Sequence, residues 1–472
     1  MGVDVLAIMP FVILALGGVS VFCLGALWRA CPSSLLWSLA LALAAAAGLV
    51  ELWIPSGTGG LSGMIEPGGS GRYFSLILCA IAAVSILFLN QYAPQRGFGG
   101  DELYGVLLLA ALGMILVAAA NNWAVFFIGF ELLSVSLYIL IAIYRGEAAA
   151  GEAGLKYFIM GAVASGFLVF GLALLYGATG TLLIDQGWVR LDPAELPLAL
   201  LAFGFILAGL AFKLSIVPFH LWTPDVYQGA PAPVTAFLST GSKVAVFGIL
   251  TRILLETPAS VWNVLVPALW ILSALTMAVG NIAALRSYSL KRRLAFSSAA
   301  QMGYLLMALV AVKQEGPAAI LFYLPIYAVM DLGAFGILGS FSAGGKDRDH
   351  LSDYRGLGFT NPWRTGVMAL CLLSLAGLPP TAGFIGKFLI LKSVLAGGHP
   401  LLALIGILTM IVSVYYYAEV VVFLYMQPEK ETVSVAAPHF WDRVAWGMVL
   451  VLTLGWGLAP SSLISYINRM SW

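Results

Sequence analysis

Apolar residues fill this chain in long uninterrupted blocks, not in the alternating or one-faced stripes of a soluble fold. A helix that crosses a bilayer needs roughly 20 apolar residues, and the sequence offers about fourteen such blocks. The first is centred near residue 16 and the last near residue 454. The longest polar and glycine-rich stretches, 55–71, 181–195 and 342–363, read as loops, and none is large enough for a soluble domain with a substrate site. The pattern predicts an all-α polytopic membrane protein. Asp4, not a basic cluster, precedes the first block and no clear small-residue cleavage site follows it, so an uncleaved first helix is expected.

Composition sharpens this. Of 472 residues, 61% are hydrophobic and 10% charged, where soluble domains average roughly 25% charged. A net charge of +1 gives no field for nucleic acid. Cys23, Cys31, Cys79 and Cys371 stand singly, with no CxxC pair, which leaves iron–sulfur and zinc frameworks unsupported. Of His220, His350, His399 and His439, only His220 lies within an apolar run, and no Gly-rich phosphate loop stands out. The chain is therefore expected to carry no redox, nucleotide or metal cofactor. With the N-terminus outside, about thirteen loop basic residues face inward against about six outward, a positive-inside bias that puts both termini on the outer side. The inward set includes Arg29, Arg96, Arg145, Lys291, Arg292, Arg293, Lys346 and Lys430.

Four lysines violate the apolar pattern: Lys156, Lys213, Lys243 and Lys387. A charge at the bilayer centre costs about 2.5–3.5 kcal/mol on insertion scales. Lys156 lies near the start of its block and is placed to snorkel to the interface; the other three are too deep. Lys213 stands in "GLAFKLSIVPFHLWTPD" (209–225), followed by Pro218, His220 and Asp225. Pro218 has no N–H, so a helix through it loses a bond. A second break falls in "SLAGLPPTAGFIGKF" (374–388), just before Lys387. Unpaired backbone at membrane depth is tolerated only inside protein or beside water.

The two breaks occupy matching places. With 1–100 as a three-helix leader, blocks 4–8 (101–257) and 9–13 (258–428) form two five-helix units, each broken in its fourth helix, and 429–472 supplies a final helix. Five is odd, so the second unit inserts upside down; inverted repeats broken at corresponding points are the transporter pattern.

A lone carboxylate in lipid protonates or seeks a cation. Glu131, in "NNWAVFFIGFELLSVSLYILIAIY", shares a helix face with Ser134 and Tyr138, and Lys213 is its expected partner. Lys243 follows Thr235, Ser239, Thr240 and Ser242, with His220 on the adjoining broken segment as a core histidine or a relay. Asp331 and Glu419 are two further intramembrane acids, and either is a candidate to balance Lys387 or a structural group. An amine that gains and loses a carboxylate neighbour swings in proton affinity, which is the working element of a proton pump.

These segments resemble a known family. "FELLSVSLYIL", "EAGLKYFIMGAVASGFLVFGLALLYGATGT", "FKLSIVPFHLWTPDVYQGAPAPVTAFLSTGSK" and "LAGLPPTAGFIGKF" are similar to the antiporter-like membrane subunits of the proton-pumping NADH:quinone oxidoreductase, over roughly residues 100–430. Lys243, where siblings often have histidine, and Lys387, where subunit M has glutamate, favour the subunit N type. The resemblance implies proton translocation driven by quinone reduction in other subunits. It assigns Glu131 and Lys213 as a modulating pair, Lys243 as the central relay, Lys387 as the terminal lysine, and a less defined part to Lys156. It places NADH, FMN, iron–sulfur clusters and quinone in partner subunits. Sibling antiporter-like subunits, small helical subunits and the lipid of a bacterial inner membrane are the implied surroundings. Two places depart from the family pattern: Gln301 stands in "FSSAAQMGY" where histidine is common, and Glu419 stands where a basic residue is common. The rival readings are a multi-subunit sodium-type cation/proton antiporter, a hydrogenase or photosynthetic relative with another electron donor, and a non-pumping structural subunit.

Overall fold

The computed structural model describes residues 2–28, 31–55, 60–66, 68–98, 102–341, 347–428 and 438–470. Arg29, Lys346 and Lys430 of the charge-bias argument lie outside the described residues, as do the 100/101 and 428/429 divisions in part. Among the described residues there is no β-strand, only isolated bridges such as Asn122 with Leu183 and Ser289 with His350.

The chain runs through α1 (Gly2–Leu27), α2 (Ser33–Glu51), α3 (Gly69–Gln95), α4 (Leu103–Ala119), α5 (Trp123–Ala142) and α6 (Ala148–Thr179). A single turn, α7 (Ile184–Gly187), precedes the first broken span, α8 (Leu196–Lys213) and α9 (Trp222–Gly229). Then come α10 (Ala232–Glu256), α11 (Ala259–Leu285), α12 (Leu290–Val310) and α13 (Gly316–Ser340). After α14 (Leu357–Thr360), the second broken span comprises α15 (Pro362–Ala376) and α16 (Ala382–Ala396). The order closes with α17 (Pro400–Tyr425), α18 (Phe440–Leu458) and α19 (Ser461–Ile467). Among the described residues eleven helices are long and apolar enough to cross a membrane, and twelve spans result when α18 and α19, bent by 83°, count as one. The remaining two expected blocks fall on shorter apolar helices, α4 and α15.

Local chemistry sets the ends. The Asn122 side chain accepts from the Ala124 N–H and starts α5; Ser289 does the same for Arg292 at the start of α12. Gly180 and Gly377, both in the left-handed region, end α6 and α15.

Burial separates the helices into two sorts. α10 is buried along its whole spanning stretch, and α12 and α13 nearly so. α1, α2, α6, α11 and α17 show an outer face of residues such as Leu16, Phe158, Val163, Ile271 and Ile411, suited to lipid. The three buried helices carry the polar side chains: Ser239, Thr240, Ser242 and Lys243 on α10, Ser297, Ser298 and Gln301 on α12, and Asp331 on α13. The hydrophobic exterior hides a polar interior, and that interior holds the site.

Candidate functional site: a row of buried amines

α8 stops at Lys213, earlier than Pro218 requires. Ser215 takes a positive φ of 59°, and the freed backbone finds new partners. The Ile216 N–H donates to the Ala211 carbonyl (2.9 Å), Val217 N–H to Thr276 Oγ1 (3.1 Å), and the Trp222 indole N–H to the Phe212 carbonyl (2.9 Å). At the second break Gly383 N–H donates to Ser374 Oγ (3.1 Å) and Thr381 Oγ1 to the Leu378 carbonyl (2.7 Å). Both interruptions lie inside protein, where such backbone is permitted.

Lys213 is 1% exposed. Its Nζ donates to Ser134 Oγ at 2.8 Å and lies over the rings of Tyr157 (5.0 Å), Phe130 (5.2 Å) and Tyr138 (5.7 Å). The expected direct pair with Glu131 is not made: Glu131 accepts from Ser165 Oγ at 2.5 Å, and no ion pair joins it to Lys213 among the described residues. Glu131 still lies within electrostatic reach of the amine. Ser134, one helical turn along α5 from Glu131, takes the contact instead.

Lys243 is fully buried. Its Nζ donates to Ser298 Oγ of α12, which is 2.7 Å from the Tyr327 hydroxyl of α13. Tyr327 in turn donates to Asp331 Oδ2 (3.2 Å), which Ser239 of α10 also reaches. Asp331 therefore belongs to Lys243, and the expectation that it balances Lys387 is corrected: three helices converge on this cluster and α16 is not among them.

Lys387 is 3% exposed, with no carboxylate bonded to it among the described residues. Its Nζ donates to the carbonyls of Leu375 (2.6 Å) and Ala376 (3.2 Å) and lies 4.9 Å from the Tyr304 ring centre. Those carbonyls are the last of α15, left free by the break, and a helix C-terminus is the negative end of its dipole. Gly377 serves twice here. Its φ of 87° turns the chain, and a Cβ on it would stand 2.9 Å from Lys387 Cδ. Gln301 shares the Leu375 carbonyl through Nε2 (3.1 Å) and accepts from the Tyr323 hydroxyl (2.6 Å). Glu419 is the other correction. It pairs with Arg293 at 2.7 Å, not with Lys387, because its position on α17 faces the N-terminal end of α12.

The row has visible connections. Ser298 and Gln301 lie one turn apart on α12 and link the Lys243 cluster to the Lys387 cluster. Between Lys213 and Lys243 run Tyr157, Trp222 and Tyr227, with ring centres 4.5 Å and 6.1 Å apart and Tyr227 5.6 Å from Lys243 Nζ. The hydroxyls of Tyr157 and Tyr227 are buried without a hydrogen bond among the described residues. Among the described residues no hydrogen bond joins His220 to the row: it sits on the α8–α9 connection, mostly buried, with Nδ1 unbonded there.

Lys156 is half exposed, and its Nζ meets Glu152 (2.6 Å) and Asp225 (3.0 Å). Asp225 also receives Arg292 at 2.7 Å. These residues, with Glu147, Lys291, Asp347 and Asp349, line a polar cavity of about 410 Å³. Its floor is α9, the element whose Trp222 and Tyr227 stand between the two lysines. The bridging hydroxyls of Ser298 and Tyr327 and this vestibule went unnoticed in the sequence; only Asp225, a charge beside a broken helix, signalled the latter. Among the described residues no group of three or more His, Cys, Asp or Glu is placed to hold a metal ion.

Residues 120–413 match the family model described as NADH:quinone oxidoreductase/Mrp antiporter, TM. The chain is 44% identical over 474 residues to NADH-quinone oxidoreductase subunit N 1 of Solidesulfovibrio magneticus, covering 100% of this chain and 99% of that one. It is 41% identical over 480 residues to subunit N of Geotalea uraniireducens, with 99% of each chain covered. Among solved structures, a chain of respiratory complex I from Thermus thermophilus with bound aureothin superposes with a TM-score of 0.84 at 35% identity, covering 98% of this chain and 100% of that one. A chain of the Mrp complex from Dietzia sp. shares the fold (TM-score 0.83, 19% identity, 98% and 96% covered). The chain belongs to the transmembrane family of NADH:quinone oxidoreductase and Mrp antiporter subunits, alongside its subunit N members.

Proposed function

We propose that this chain is a proton-translocating membrane subunit of an NADH:quinone oxidoreductase, driven by quinone reduction in other subunits of the complex. One observation carries the reading. Lys213, Lys243 and Lys387 are buried, and each donates to a hydroxyl or carbonyl, with no carboxylate bonded to any of them among the described residues. A structural ion pair locks two charges together, and breaking one is costly. An ammonium held by neutral acceptors can give up its proton without orphaning an anion.

In this reading the vestibule is the cytoplasmic inlet, since it opens among the loops richest in basic residues. Lys156, Asp225 and Arg292 hold its rim. The proton passes to the interior at α9, where the Tyr157 and Tyr227 hydroxyls offer bonding positions to water between Lys213 and Lys243. Glu131 modulates Lys213 by charge through the intervening Ser134. Ser298 and Gln301 lead to Lys387, which the α15 carbonyls hold for release to the opposite side. Gln301 cannot carry a proton itself; Tyr323 and Tyr417 beside it offer hydroxyls. His220 stands apart and is assigned no step. The two matched breaks support the division into inverted five-helix repeats at 101–257 and 258–428. The membrane is the bacterial inner membrane, with both termini outward. NADH, FMN, iron–sulfur clusters and quinone belong to partner subunits, which include sibling antiporter-like subunits and small helical subunits.

The experiment is vesicle reconstitution of the assembled complex with proton uptake followed by a pH-sensitive dye. Lys213→Ala, Lys243→Ala and Lys387→Ala should each lower proton uptake to that of the complex lacking this route while the complex still assembles. Wild-type uptake in all three would support a scaffold, and cation exchange with no electron donor present would support the antiporter alternative.

A further inference from the structure

We infer that Asp331 is an additional intramembrane proton-holding site, wired to Lys243 by the hydroxyls of Ser298 and Tyr327. This rests on the proton-conducting reading above and deepens it. Asp331 is 1% exposed, in the middle of α13. A carboxyl there is expensive as an isolated charge and is kept only with a partner. Lys243 is the one cation that acts on it among the described residues. The other titratable neighbours on packed elements are Tyr227 of α9, Cys371 of α15 and Tyr417 of α17, none of them a cation.

The connection is continuous. Lys243 Nζ donates to Ser298 Oγ, Ser298 Oγ lies 2.7 Å from the Tyr327 hydroxyl, and Tyr327 donates to Asp331 Oδ2 at 3.2 Å. Ser239 fixes the same oxygen from α10. The other oxygen, Oδ1, is buried with no hydrogen bond among the described residues. A purely structural carboxylate would be expected to bond both oxygens; here one is tied into the row and the other is free to bear a hydrogen.

The step balances. Lys243 gives a proton to Ser298 Oγ, Ser298 passes its own hydroxyl proton to Tyr327, and Tyr327 passes its own to Asp331. Each hydroxyl gains one proton and loses one. The ammonium becomes an amine and the carboxylate a carboxyl, so a separated charge pair becomes two neutral groups. The reverse transfer reloads Lys243. The cluster thus stores the proton at the centre of the membrane without net charge, whichever group holds it.

The test uses the assembled complex reconstituted in vesicles, with proton yield per NADH and redox-triggered infrared difference spectra as readouts. Asp331→Asn and Tyr327→Phe should each lower the proton yield toward that of the complex lacking this route, and Asp331→Glu should recover part of it. The carbonyl-stretch band of a carboxyl that gains and loses a proton should be present in the wild type and absent in Asp331→Asn. Wild-type yield and an unchanged spectrum in Asp331→Asn would overturn the assignment. Should that variant fail to assemble, Tyr327→Phe decides, since it keeps the ring packing and removes the bridging hydroxyl, which also donates to the Ser239 carbonyl at 3.0 Å. Lys243→Ala in the same assay separates the two levels: if it stops pumping while Asp331→Asn and Tyr327→Phe do not, the Asp331 inference alone is wrong; if none of the three has an effect, the conduction reading itself fails.

Discussion

The ion pairs at the helix ends, called the rim here, and the buried row treat the same kind of side chain in opposite ways. At the rim cations meet carboxylates directly: Lys291 with Asp347 at 2.5 Å, Arg292 with Asp225 at 2.7 Å, Arg293 with Glu419 at 2.7 Å. Arg96 also bonds Asp347. In the row, Lys213 and Lys243 meet serine hydroxyls, with Glu131 and Asp331 set behind them, and among the described residues Lys387 bonds to backbone carbonyls and lies over a ring. Rim pairs tie helix ends together and have fixed charge. Row amines sit where a fixed charge would be most costly and have the least fixed surroundings. On the proposed reading, direct pairing marks structure and its absence marks the groups whose charge changes.

Substitutions can break that contrast from either side. The largest effect is expected in the row: Lys387→Ala should lower proton yield per NADH to that of the complex lacking this route, with the complex still assembled. Gly377→Ala comes next. Its φ of 87° costs about 1–2 kcal/mol with a Cβ present, and the methyl would push Lys387 off the α15 carbonyls. Proton yield should fall with the amine still in the chain, checked in the same vesicles. Glu131→Gln keeps an acceptor for Ser165 and removes only the charge behind Ser134. It should slow coupled turnover by roughly a few-fold, read as NADH oxidation before and after uncoupler. The smallest functional effect belongs to the rim. Glu419→Gln should leave proton yield unchanged and cost about 1 kcal/mol, discounted because Glu419 is partly exposed and Arg293 keeps the Tyr416 and Ser287 carbonyls. A shifted melting temperature without a shifted yield is the expected result.

Much of this was legible in the chain. Lysines in apolar blocks announce themselves by their insertion cost, so Lys213, Lys243 and Lys387 were found without any contact known. Proline pairs announced both breaks. α4 and α15 were legible as blocks although each is short, because the surrounding loops still punctuate them. Partnership was not legible. Glu131 and Lys213 looked like a pair by charge alone, yet Ser134 on the same helix face takes the contact. Asp331 reads in the sequence as a partner for Lys387 or a structural group, and only the convergence of α10, α12 and α13 joins it to Lys243. Glu419 could not be matched to Arg293, since nothing local links α17 to α12. Serine and tyrosine bridges are invisible for a plainer reason: Ser298 and Tyr327 are ordinary residues in any helix, and only three-dimensional position makes them links.

If the buried amines move the proton, Lys243 is the midpoint of its path. The direct measurement is the number of protons taken up per NADH oxidised by vesicles holding the assembled complex, with Lys243→Ala compared to wild type. Conduction through the buried amines predicts that the yield drops to that of the complex lacking this route while NADH oxidation continues in the presence of uncoupler. An unchanged yield at an unchanged oxidation rate would contradict it.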